Sequence, residues 1–187
     1  MRNPKGVRFP RVWILFFPVL GILMAVLTVT GLPNLFSRTE QSAGNGITIG
    51  EPAPGFTGHT LDGRQISLSD LKGSIVAVSF WASWCEPCKT EMPVLQSATH
   101  QYSKAHLLVL AVNSGEEKSV ISSFVSEMKL TMPVLLDPDQ TISKRYHVVV
   151  LPVTVWIDPQ GVVRAEQIGP LDPKMIASYM DLLTPGK

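Results

Sequence analysis

At 187 residues the chain has room for one domain and an appendage. A formal net charge of +1, with no basic patch interleaved with aromatics, argues against a nucleic-acid partner. The only two cysteines, Cys85 and Cys88, share one tetrapeptide, and without a second pair no four-ligand zinc site is completed, so no metal is expected.

The first feature along the chain is an apolar, uncharged run from Val12 to Leu32. As a helix it would reach about 31 Å, enough for the hydrocarbon core of a bilayer. Arg2, Lys5, Arg8 and Arg11 precede it, while only Arg38 and Glu40 follow closely. The positive-inside rule therefore keeps residues 1–11 cytoplasmic and puts everything after Leu32 on the outer face of a bacterial cell membrane. A cleaved signal peptide has a shorter apolar region, about 7–15 residues, that ends in a small-x-small site. Leu32-Pro33-Asn34-Leu35-Phe36 offers no such site, so residues 12–32 are read as a single-pass signal anchor. Pro18 within it is tolerable in a membrane helix.

Residues 33–46 read as a polar linker, and 47–187 as the extracytoplasmic domain. Phe56 to Leu68 alternates around Asp62-Gly63, a hairpin signal. Ile75–Trp81 is a strand-like apolar run, followed by a helix from about Glu86 to Tyr102 with room for a kink at Pro93. Leu107–Val112 reads as a buried strand, and Glu116–Lys129 as a helix with Val120, Ile121, Phe124, Val125 and Met128 on one side. A short strand over Val134–Leu136 and a helical turn or two around Gln140–Tyr146 come next. Val153–Ile157 and Val162–Ile168 flank Asp158-Pro159-Gln160-Gly161 as a second hairpin, and a helix over 172–183 closes the domain. Strands alternating with helices describe an α/β fold whose mixed central sheet is flanked by helices.

Cys85-Glu86-Pro87-Cys88 sits where the first strand gives way to the first helix. Two thiols separated by two residues can close a disulfide and open it again, which suits a dithiol redox catalyst. A purely structural bridge over so short a loop would remove little unfolded-state entropy. Haem attachment needs a histidine where Lys89 stands. Cys85, at the helix start, is the nucleophile, because unpaired N–H groups and the helix dipole favour its thiolate. Cys88, one turn in, attacks next and releases the mixed disulfide. Glu86 opposes the dipole and fits a reductant, and Pro87 suits a first helical turn. Glu91 lies three residues after Cys88 on the same helical face. From spacing alone it is equally a solvated helix residue or an acid–base partner for a thiol that must lose its proton. Trp81 and Trp84 flank the motif as packing residues, Trp84 also as part of a docking surface. Pro152 opens a strand, an ordinary place for proline.

The stretch Phe80-Trp81-Ala82-Ser83-Trp84-Cys85-Glu86-Pro87-Cys88-Lys89 resembles the active-site signature of the thioredoxin superfamily. Its extension through Thr90-Glu91-Met92-Pro93, with Ala111-Val112-Asn113, Gly115-Glu116 and Leu151-Pro152-Val153-Thr154-Val155-Trp156-Ile157-Asp158, resembles the membrane-anchored ResA/TlpA branch. The likeness covers about residues 47–187. It implies a thioredoxin-like fold with an N-terminal hairpin extension, a redox-active Cys85–Cys88 disulfide, and a cis-proline at Pro152 facing the dithiol. Leu151 would then offer its backbone to an extended substrate beside Trp84, Glu86 and Pro87. The branch places two carboxylates near the dithiol, and the matching positions are Glu91 and Glu116; spacing alone would leave Glu116 an unremarked helix-start acid. The resemblance further implies reduction of the Cys-x-x-Cys-His disulfide of apocytochrome c before haem attachment, and a membrane electron donor of the CcdA/DsbD type. No cofactor is implied, and a monomer is expected.

Two departures stand out. Cytosolic thioredoxins carry a buried aspartate six residues before the first cysteine, where this chain has Ser79; that strengthens the case for Glu91 as proton handler. Val153 replaces a common threonine after the proline, so one polar contact is expected to be missing. Competing functions are a reductase of another exported client, such as one in spore envelope synthesis, a peroxidase, and a non-catalytic membrane-tethered assembly factor. A peroxidatic cysteine normally follows Pro-x3-Thr-x2, which neither cysteine does, so antioxidant activity is not expected.

Overall fold

The computed structural model describes residues 46–184. The expected cytoplasmic terminus, the anchor over 12–32 and the linker up to residue 45 lie outside the described residues.

Seven strands form one sheet among the described residues: β1 (Thr57–Thr60), β2 (Gln65–Ser67), β3 (Ile75–Trp81), β4 (Leu107–Ser114), β5 (Val134–Asp137), β6 (Val153–Ile157) and β7 (Val163–Ile168). Their order across the sheet is β2-β1-β5-β4-β3-β6-β7. β3, β4 and β5 run parallel, while β6 and β7 on one side and β1 and β2 on the other are added antiparallel. The helices are α1 (Glu86–Gln101), α2 (Lys118–Glu127), α3 (Thr141–Arg145) and α4 (Pro173–Leu183). This is a thioredoxin-like α/β architecture with helices on both faces of a mixed sheet.

β3 is buried at every position because both of its faces are covered, which is why its sequence is an unbroken apolar run. Ile75, Ala77 and Trp81 join a cluster with Met92 and Leu95 of α1, Ile121 and Phe124 of α2, and Ile176 and Met180 of α4. Val76, Val78 and Phe80 face the other way, onto Phe56, Leu68, Ile142 and Tyr146. Each large apolar side chain taken out of water here contributes about 1.5–3 kcal/mol. Together the two clusters fix the register of the central strand, since a slip by one residue would exchange its faces.

α1 runs through Pro93, held by fully buried Met92 and Leu95 on either side. α2 starts at Lys118, two residues later than the apolar spacing suggested. Gly115, at φ 86°, turns the chain out of β4, and Glu116 belongs to that turn. α4 begins at Pro173 behind an Asp172 cap that accepts from Met175 N at 2.8 Å.

Candidate active site

β3 ends at Trp81, and after three intervening residues the chain enters α1 with Cys85 as its N-cap. Pro87 occupies the first turn, where its missing N–H costs nothing. Cys85 and Cys88 form a disulfide with Cα atoms 5.2 Å apart. Cys88 is fully buried and Cys85 is 4% exposed, so the helix-start sulfur is the one nearer to solvent. Cys88 N–H points at Cys85 Sγ, 3.3 Å away. In the dithiol form the same donor, with the positive end of the helix dipole, would favour a Cys85 thiolate. Glu86 is exposed and pairs with Lys89 Nζ at 2.9 Å, a surface contact of small energetic weight.

Glu91 is buried at the foot of this arrangement, one helical turn beyond Cys88. Its Oε1 accepts from Thr154 Oγ1 at 3.1 Å. Thr154 of β6 and Ser79 of β3 are register partners, so two hydroxyl residues lie side by side on the sheet beneath the carboxyl. Burial raises the Glu91 carboxyl to about 7, against the opposing pull of the Thr154 and Ser79 hydroxyls. The Ser79 hydroxyl lowers it as well, although neither Ser79 Oγ nor Glu91 Oε2 makes a hydrogen bond of ordinary geometry. A carboxyl that exchanges its proton near neutrality suits acid–base work on a thiol.

Glu116 has different hydrogen-bond partners from Glu91. Its Oε2 accepts from Ser83 N at 2.7 Å and from Asn113 Nδ2 at 2.6 Å, while Ser83 Oγ donates to its Oε1. Its own backbone N–H donates to Asn113 Oδ1. Glu116 thus ties the end of β4 to the loop two residues before Cys85. Among the described residues, neither carboxylate hydrogen-bonds a cysteine sulfur.

The Leu151-Pro152 bond is cis. Val153 pairs with Phe80, so Pro152 and Leu151 fall at the end of β3 from which the dithiol loop departs. Gly169 N–H donates to the Pro152 carbonyl at 2.9 Å, while Leu151 N–H and C=O carry no hydrogen bond among the described residues. Trp84, next to Cys85, is 70% exposed.

Sequence reasoning left out Ser83 and Asn113 as partners of Glu116, and Thr154 as partner of Glu91. Val153 is buried in the apolar cluster on the face of β6 opposite to Thr154. A lone serine inside the apolar run of β3 was the available signal for a polar site in that core.

A model of the AhpC/TSA family matches residues 49–166. Thiol-disulfide oxidoreductase ResA of Bacillus subtilis is 35% identical over 169 residues, which is 90% of this chain and 92% of the relative. The protein of the same name from Geobacillus thermodenitrificans is 34% identical over 167 residues, 89% of this chain and 93% of the relative. Among solved structures, StoA from Bacillus subtilis superposes with a TM-score of 0.61 at 30% identity, covering 68% of this chain and 96% of StoA.

Proposed function

The chain belongs to the AhpC/TSA family and is a thiol-disulfide oxidoreductase of the ResA kind, and from that premise we propose that it works outside the cytoplasm as a reductase, its client the Cys-x-x-Cys-His disulfide of apocytochrome c. The observation that carries the reducing direction is the buried Glu91 carboxyl one turn beyond Cys88. When ionised it disfavours a thiolate at Cys88, and Glu86 offsets part of what the helix start gives Cys85. Strong oxidants of this chemistry owe their potential to a stabilised reduced form. A pair whose thiolate is disfavoured gives electrons away instead.

In the dithiol form, the Cys85 thiolate attacks one client sulfur, the client S–S bond breaks, and the other client sulfur leaves as a thiolate. Cys88 then passes its proton to the Glu91 carboxylate and attacks Cys85 Sγ. The mixed disulfide breaks, and the second client sulfur leaves as a thiolate. Two electrons have moved to the client and the Cys85–Cys88 disulfide has re-formed. Leu151 pairs with the extended client backbone beside Pro152, with Trp84 against its side chains.

The charge asymmetry around residues 12–32 supports a single-pass anchor with residues 47–187 outside, where thiols tend to be oxidised. A membrane donor of the CcdA/DsbD type would restore the dithiol. Reduction of a different exported protein would use the same residues and differs only in client. A peroxidase is disfavoured because neither cysteine follows Pro-x3-Thr-x2, and a passive assembly factor because both cysteines are kept. The test is the reduction potential together with turnover of an oxidised Cys-x-x-Cys-His peptide. A value near roughly −270 mV with turnover is expected; one near roughly −120 mV would make the protein a disulfide donor.

A further inference from the structure

Among the described residues, four buried side-chain polar atoms have no hydrogen-bond partner: Ser79 Oγ, Trp81 Nε1, Glu91 Oε2 and Trp156 Nε1. Ser79 and Trp81 lie on β3, Trp156 on β6 opposite Ala77, and Glu91 on α1 above them. Ala77, Trp81 and Trp156 belong to the one apolar cluster that also holds Cys88 and Met92. Unpaired buried polar atoms are costly, and a folded core carries few of them. Two of the four, Ser79 Oγ and Glu91 Oε2, belong to side chains that act on one another.

The geometry of that carboxyl is defined from below. Thr154 Oγ1 donates to Oε1 at 3.1 Å, and Ser79, its cross-strand partner, supplies a second hydroxyl acting on the carboxyl whose Oε2 is unpartnered. A hydroxyl can turn to donate to a carboxylate or to accept from a carboxylic acid. Two such groups on adjacent strands can therefore follow Glu91 through both protonation states without moving the backbone.

We propose that Ser79 and Thr154 are positioning residues that form a hydroxyl cradle for the Glu91 carboxyl, fixing its orientation under Cys88 and the pH at which it exchanges the Cys88 proton. This rests on the reading of the protein as a reductase in which Glu91 takes that proton. Burial acts first on the carboxyl and the two hydroxyls oppose it, with no charged side chain from α1, β3 or β6 contributing. The cradle therefore sets how far burial is offset. Without it the acid would hold its proton too firmly to accept another from Cys88 at neutral pH. The proton balance is simple: Cys88 loses one, Glu91 gains one, and the cradle exchanges donor for acceptor.

The test follows the carboxylic acid C=O infrared band of the full-length disulfide form against pH, where no cysteine titrates. The E91Q variant identifies the Glu91 contribution. Removing a donor to a carboxylate should raise its midpoint, by about one pH unit for T154V and by less for S79A. T154S, which restores a hydroxyl, should bring the midpoint back. The pH profile of Cys88-dependent client reduction should move by the same amounts, while the near-UV circular dichroism of each variant stays as in the parent. If E91Q removes the band but T154V and S79A leave its midpoint in place, the cradle is wrong while the role of Glu91 stands. If E91Q leaves the pH profile of client reduction unchanged, the proton-handling role fails and takes the cradle with it.

Discussion

Glu116 holds Ser83 from across the end of the sheet, accepting the Ser83 N–H at 2.7 Å and its hydroxyl at the other carboxylate oxygen. Two residues later comes Cys85, so the carboxylate is connected to that cysteine through the loop. E116A leaves the Ser83 N–H and Asn113 Nδ2 without that acceptor. The expected cost is about 1–3 kcal/mol of stability, read as a lower urea midpoint with an unchanged slope. Client reduction should fall about tenfold, because small misplacement of a reacting atom is costly. An E116A protein as stable and as fast as the parent would remove this tie from the site.

Glu91 makes stability depend on pH in a definite direction. Its proton leaves at about 7 in the folded chain, compared with an ordinary value of 4.5. Between those values the folded state keeps a proton that the unfolded chain has lost. The contribution is therefore complete at low pH and is lost as pH rises through the folded value. Unfolding of the disulfide form should show the parent losing on the order of 3 kcal/mol relative to E91Q between about pH 4 and about pH 8. Parallel curves for the two proteins would mean that Glu91 is not held as a buried acid.

Cys88 separates catalysis from mere binding. With C88S, the mixed disulfide through Cys85 has no resolving thiol and should accumulate with oxidised client. Mass spectrometry under non-reducing conditions should find the adduct on Cys85 alone, and C85S should give none. Client retained by C88S without a covalent bond would point to a scaffold.

Trp84 can be removed without touching the core. At 70% exposure, W84A should change stability by no more than about 0.5 kcal/mol. Its effect belongs to the client: KM for a protein disulfide should rise about tenfold, while reduction of a small disulfide such as oxidised glutathione stays the same. Equal losses on both substrates would place Trp84 in the chemistry.

Much of the fold was legible because burial on two faces leaves a plain mark. Ile75–Trp81 and Leu107–Val112 are apolar without a break, and both became central parallel strands. The dithiol was legible from its spacing at a strand–helix junction. Other features depend on contacts distant in sequence. The pairing of β1 with β5 joins His59 to Leu136, and no local pattern announces it. Glu116 looked like the first residue of a helix because the sequence around it is helix-compatible. It lies instead in the turn before α2, and its partner Ser83 is 33 residues away. Thr154 reads as an ordinary strand threonine until β6 is laid beside β3 and α1 is placed above both.

Carrying both Cys88 and Glu91 on α1 has a mechanical consequence. The axial separation of thiol and base is three residues of helix rise, about 4.5 Å, set by backbone pitch alone. An acid borne on the strand at position 79 would keep its distance from the thiol only while helix and sheet stayed in register. Here that spacing lasts as long as α1 stays helical, and the Thr154 hydroxyl ties the same carboxyl to β6 at 3.1 Å.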